Sequence, residues 1–108
     1  MKLYGLKTCD TCRKALKALE QAGRPAEFVD VRADGLSDDE RDAFLSAFGD
    51  QLVNTRSTTW RGLDAAERAR PAAELLAAYP TLMKRPVIRA GDTLYLGWGK
   101  DTQAALLG

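Results

Sequence analysis

The apolar and polar residues of this chain change period several times, and each change marks an element. Lys2-Leu3-Tyr4-Gly5-Leu6 alternates over too short a span for a helix, which predicts a first strand ending near the glycine. From Asp10 the period becomes helical: Ala15, Leu16, Leu19 and Ala22 fall on one stripe, and Gly23 and Pro25 supply the stop. Ala26 to Val31 alternates again, with Glu27 and Asp30 beside apolar positions, and Asp34-Gly35 closes this second strand as a turn. Ser37-Asp38-Asp39-Glu40 has the form of a capping box. It opens a helix whose stripe is Ala43, Phe44, Ala47 and Phe48 and whose end is Gly49.

Beyond Gly49 the pattern weakens. Leu52 to Leu63 has no clear period and contains the hydroxyl-rich run Asn54-Thr55-Arg56-Ser57-Thr58-Thr59-Trp60-Arg61, which reads as a loop. Asp64 to Arg70 predicts a short helix. Pro71 suits the first position of another, carrying Leu75, Leu76 and Tyr79 before Pro80 ends it, and Thr81 to Arg85 reads as connector. Pro86 to Ala90 and Thr93 to Leu96 flank Gly91-Asp92, a two-residue hairpin loop with glycine first, as a type II′ turn requires. Asp101 to Leu107 supplies a last helix. The order β-α-β, a helical middle, then β-β-α predicts an α/β fold of thioredoxin-like plan. Its four-stranded mixed sheet would be covered by helices, in one domain over residues 1–108 with a helical insertion at about 37–80.

Composition adds exclusions. With 108 residues, 45% hydrophobic and 29% charged, the chain has the make-up of one folded domain that needs no disulfide staples. Sixteen basic and fifteen acidic residues leave a net charge of +1, so no global field draws in nucleic acid or an anionic membrane, and any anion preference must be local. No apolar run approaches the roughly 18 residues that span a bilayer, and the first residues run directly into a strand, so the cytoplasm is the expected location. Two cysteines spaced Cys9-x-x-Cys12, with no histidine anywhere, exclude a disulfide framework and a structural zinc site, and no metal is expected. The missing histidines also remove the commonest general base, so a nucleophile here must be activated by electrostatics.

The candidate chemistry gathers at the first loop. Cys9 falls at the predicted helix start, where unpaired N–H groups and the positive end of the helix dipole favour a thiolate over a thiol of ordinary pKa, about 8.5. Lys7, Arg13 and Lys14 are close in sequence, and the same donors suit an oxyanion, which makes Thr8, Thr11 and Arg13 candidate anion-binding residues. Cys12, one turn on, is either a resolving thiol or a small apolar filler on the inner helix face. Arg56, in the hydroxyl-rich loop, and Arg85, held extended before Pro86, are either guanidinium ligands for an anion or solvated ion-pair partners. Arg61 reads as solvated, Trp60 and Trp98 as half-buried core aromatics, and Asp38 to Asp42 as a solvated helix face.

The segments Tyr4-Gly5-Leu6-Lys7-Thr8-Cys9-Asp10-Thr11-Cys12-Arg13-Lys14-Ala15, Asn54 to Trp60 and Lys84-Arg85-Pro86-Val87 together resemble the arsenate reductase family related to the regulator Spx. The chain is most similar to its reductase-like branch in the Thr-Thr-Trp-Arg and Lys-Arg-Pro segments. The resemblance implies a thioredoxin-like domain with a helical insertion, Cys9 as nucleophile, Arg56 and Arg85 as anion-site arginines, and a cis bond before Pro86. It also implies no bound cofactor, glutathione as co-substrate and glutaredoxin as a further partner. The arsenate reductases carry a third arginine after the hairpin, where this chain reads Leu96-Gly97-Trp98-Gly99-Lys100. A charge-assisted contact is worth about 1.5–3 kcal/mol, so arsenate becomes one candidate beside disulfides and glutathione-type thiols. The alternative the resemblance implies is a redox-sensing regulator like Spx, with Cys9 and Cys12 as its switch and RNA polymerase as its partner. Against that role stands the short stretch after the last strand, with only Gly97 to Gly108 left for a partner-binding tail.

Overall fold

A computed structural model describes residues 1–108, which divide into two compact units, residues 1–34 with 85–108, and residues 35–84. The first unit holds strands β1 (Lys2–Gly5), β2 (Glu27–Asp30), β3 (Val87–Ala90) and β4 (Thr93–Leu96) with helices α1 (Asp10–Gln21) and α6 (Lys100–Leu107). The second holds α2 (Asp38–Phe48), α3 (Thr58–Arg61), α4 (Ala65–Arg68) and α5 (Ala72–Ala78), with 3₁₀ turns at Gly49–Leu52 and Pro80–Leu82.

In the first unit the strand order is β2-β1-β3-β4. β1 runs parallel to β2, with α1 as the crossover, and antiparallel to β3, which forms the hairpin with β4. Register follows from which face each residue must bury. Leu3 is paired with Phe28 on one side and Ile88 on the other, and Ile88 with Tyr95. These residues pack with Cys12, Ala15 and Leu19 of α1 and Leu106 of α6 in one cluster, in which Leu3, Ala15, Leu19 and Ile88 are wholly buried. The Arg24 guanidinium donates to the Leu106 carbonyl at 2.7 Å, tying the end of α1 to α6. This is the four-stranded mixed sheet of a thioredoxin-like fold, as the element order predicts.

The hairpin forms where expected. Ala90 pairs with Thr93 across Gly91-Asp92, and Gly91 takes a φ of 62° while no residue other than glycine has positive φ. A positive first turn residue followed by a negative one is the type II′ pattern. The Ser37 capping box is present in both directions, with Glu40 N–H donating to Ser37 Oγ at 3.1 Å and Ser37 N–H donating to Glu40 Oε1 at 3.0 Å.

Three expectations change. Residues 52 to 63 are not all loop: Thr58–Arg61 makes a single helical turn, because Ser57 Oγ accepts the Trp60 N–H at 3.1 Å and caps it. One turn is too short to show a hydrophobic period. The connector after Pro80 is structural as well, since Leu82 and Met83 are wholly buried and Met83 bridges to Val53. Ala22 and Ala47, placed on apolar stripes by spacing, are exposed, because each lies near the end of its helix.

Candidate active site

Cys9 is the residue immediately before α1, in extended backbone with φ −84° and ψ 116°. Its N–H donates back to the Leu6 carbonyl at 3.1 Å, closing a turn, while its carbonyl accepts the Arg13 N–H at 3.1 Å as the first bond of the helix. A cap residue so placed points its side chain toward amides that have no partner in the helix. The thiol makes no capping hydrogen bond of ordinary geometry, so nearby donors act on it mainly by favouring its charged form. Burial alone would raise the Cys9 pKa. The amide and the thiol of Cys12, the positive charge of Arg85 and the amide of Thr11 outweigh that, and the net direction is down.

Cys12 goes the other way. Burial pushes it up to about 12, helped by the neighbouring Cys9 sulfur and opposed by the Leu6 backbone and Arg85. Its side chain is 1% exposed and belongs to the core cluster. Gly5 explains its seat: a Cβ at that position would collide with Cys12 Sγ and stand 3.2 Å from Cys12 Cβ. A bare backbone on β1 is therefore what lets the second thiol lie against the sheet. Both cysteines are free thiols.

The loop carrying Cys9 is anchored on each side. Arg13 Nε donates to the Lys7 carbonyl at 2.9 Å, so this guanidinium, expected to face an anion, serves at least in part to brace the turn. Asp30, at the end of β2, takes the N–H groups of Arg32 and Ala33 on Oδ1 at 2.9 and 3.1 Å, and the Lys7 N–H approaches Oδ2 at 3.4 Å. These N–H groups, led by that of Ala33, together with the charge of Lys7, hold the Asp30 carboxyl below its ordinary pKa. Asp30 and Gly5 are the residues that sequence reasoning missed. A polar residue closing a short strand and a glycine four residues before a cysteine are weak signals alone.

The first unit thus gathers Thr8, Cys9, Thr11, Cys12, Arg13, Arg85 and Pro86. Thr8 and Thr11 are exposed, and Thr11 acts on the sulfur through its amide. Arg85, distant in sequence, is a cation whose charge lowers the Cys9 pKa. The Arg85–Pro86 bond is cis, and the Pro86 carbonyl accepts the Gly97 N–H at 2.8 Å. Where the arsenate reductases carry their third arginine, Trp98 packs half-buried against the core and its carbonyl accepts Gln103 Nε2 at 2.9 Å. Arg56 belongs to the second unit, in the turn after Asn54, whose Oδ1 accepts its N–H at 3.0 Å.

The ArsC family model matches residues 4–106. An uncharacterized protein of Haemophilus influenzae is 41% identical over 109 residues, covering 95% of this chain and 96% of its own. A global transcriptional regulator Spx of Listeria innocua is 30% identical over 92% of this chain and 80% of its own. Among solved structures, a protein named YFFB superposes with a TM-score of 0.89 at 35% identity, covering 98% of this chain and 97% of that one. An arsenate reductase (ArsC) related protein of Brucella melitensis gives 0.74 at 35%, covering 97% and 93%. With a family match over nearly its whole length and a thiol at the head of its first helix, this chain belongs to the ArsC family.

Proposed function

We propose that this chain is a thiol reductase whose nucleophile is the Cys9 thiolate and whose reductant is glutathione. The observation that carries the reading is the opposite titration of the two cysteines: Cys9 is lowered by amides and by the Arg85 charge, while burial raises Cys12 to about 12. Thiol exchange needs a thiolate, so at neutral pH Cys9 is the sulfur equipped to attack. On a disulfide substrate, Cys9 forms a bond to one sulfur and the other leaves as a thiolate that takes a proton from water. A glutathione thiolate then attacks the mixed disulfide at the substrate sulfur, which releases Cys9 and leaves a glutathione–substrate disulfide. With glutathione itself on Cys9, the thiol of a glutaredoxin is the alternative second nucleophile. Arg85 stabilises the leaving Cys9 thiolate in the second step. An oxyanion such as arsenate remains a candidate substrate, with Trp98 in place of a third cation. The reading fits a reducing compartment such as the cytoplasm, and no helix is long and apolar enough to cross a membrane.

The similarity to Spx supports a second reading, a redox-sensing regulator that switches through a Cys9–Cys12 disulfide and binds RNA polymerase. The seat of Cys12 against Gly5 favours the first, because a disulfide needs the second sulfur to be an accessible nucleophile. Mass spectrometry after incubation with oxidised glutathione separates the two. The reductase reading expects one glutathione adduct that disappears in Cys9→Ser, with the Cys9 thiolate titrating below the ordinary thiol range by ultraviolet absorbance. An intramolecular disulfide in place of the adduct, with no turnover, would favour the regulator.

A further inference from the structure

β1 and β2 are parallel, with Gly5 opposite Asp30, so both strands end on the same side of the sheet and the loop after β1 runs beside the turn after β2. The Val31 N–H donates to the Gly5 carbonyl at 2.9 Å, which carries the pairing one residue past β2. Beyond Gly5 the chain makes a tight turn from Leu6 to Cys9, closed by the Cys9 N–H on the Leu6 carbonyl at 3.1 Å. Lys7 and Thr8 are its exposed central residues, and their orientation decides where Cys9 points. Two side chains from outside the turn meet at Lys7. Arg13 Nε of α1 donates to its carbonyl at 2.9 Å, and Asp30 Oδ2 of β2 accepts its N–H at 3.4 Å.

Asp30 is itself held before it reaches Lys7. Its Oδ1 takes the Arg32 and Ala33 N–H groups at 2.9 and 3.1 Å, and its carbonyl takes the Asp34 N–H at 2.9 Å, so the turn after β2 fixes the carboxylate and leaves Oδ2 for the neighbouring loop. The groups that lower the Cys9 pKa lie elsewhere: the Thr11 and Cys12 amides belong to α1, and Arg85 precedes β3. Dipoles at a helix start and a single nearby charge act over short distances, so the sulfur gains from them only when the turn delivers it to one place. A turn closed by one backbone bond is a loose support, and side chains locked by their own hydrogen bonds make it a firm one.

We propose that Asp30 is a positioning residue for the Cys9 thiolate, clamping Lys7 between β2 and α1 together with Arg13 and so holding the sulfur at the helix start. The inference rests on the reading of Cys9 as a reactive thiolate. A brace and a bare charge predict opposite signs here. As a negative charge, Asp30 opposes a nearby thiolate, and its removal would lower the Cys9 pKa; as a brace, its removal raises it. The test is the rate of Cys9 alkylation by iodoacetamide against pH, read by mass spectrometry on the full chain. Asp30→Asn keeps Oδ1 for the turn after β2 but turns an NH₂ toward the Lys7 N–H, which opens the clamp. It should move the alkylation midpoint upward and slow the reaction at neutral pH about fivefold, the order of one modest hydrogen bond. Glu27→Gln removes the same charge from the other end of β2, where Glu27 faces Lys2 at 3.6 Å, and should leave the midpoint in place. Arg13→Gln, with an N–H at the chain position of Nε but no charge, should react faster than Arg13→Met, which has neither. An unmoved or lowered midpoint in Asp30→Asn, an equal rise in Glu27→Gln, or equal rates in the two Arg13 variants would overturn the inference. An ordinary thiol midpoint in the unsubstituted protein would overturn the reductase reading and the brace with it, whereas a lowered midpoint that Asp30→Asn leaves in place would overturn the brace alone.

Discussion

At the scale of single residues, the chemistry depends on two sulfurs one helical turn apart in unlike surroundings. Cys9 has amides and the Arg85 charge around it, while Cys12 is sealed in the core and offers a proton. If the Cys12 thiol helps to hold the Cys9 thiolate, Cys12→Ala should raise the Cys9 pKa, and Cys12→Ser, which keeps a donor, should restore much of it. The measurement is the pH profile of Cys9 alkylation. A packing role alone would move both variants together. The position of Cys9 at a helix start was legible from the sequence, because the strand, loop and helix patterns around it are local. The contribution of Arg85 was not, since it depends on the chain returning to the sheet at β3, far from Cys9 in sequence.

At the scale of elements, the decisive fit is between β1 and α1. Gly5→Ala puts a methyl group into the space of Cys12 Sγ, and overpacking of this kind costs about 1–3 kcal/mol. Urea denaturation should show that loss, and the Gly5→Ala/Cys12→Ala double variant should lose less than the sum of the singles, because the two groups share one space. Additive losses would refute the shared seat. The elements that could be read in advance are those whose signals are written locally: the capping box at Ser37, the glycine-first hairpin loop at Gly91, and the α1 stripe. What could not be read was built from distant partners. The one-turn helix α3 has no room for a period, and the burial of Leu82 and Met83 depends on pairing with the segment at Leu52 and Val53.

At the scale of the whole molecule, protonation connects the buried thiol to stability. The folded-state pKa of Cys12, about 12, lies above the ordinary thiol range of about 8.5–9. A group raised in this way contributes its full stabilisation below the ordinary value and loses it as pH climbs toward the folded one. Urea midpoints should therefore fall between about pH 9 and pH 12, and Cys12→Ala should flatten that fall; an unchanged slope would refute the assignment. The strand order β2-β1-β3-β4 has a further consequence, for association between molecules. It leaves β2 and β4 on the outside of the sheet, and each is only four residues long. So brief a margin offers an incoming strand few free peptide groups, and on β2 the charges of Glu27 and Asp30 add to the protection against edge-to-edge aggregation.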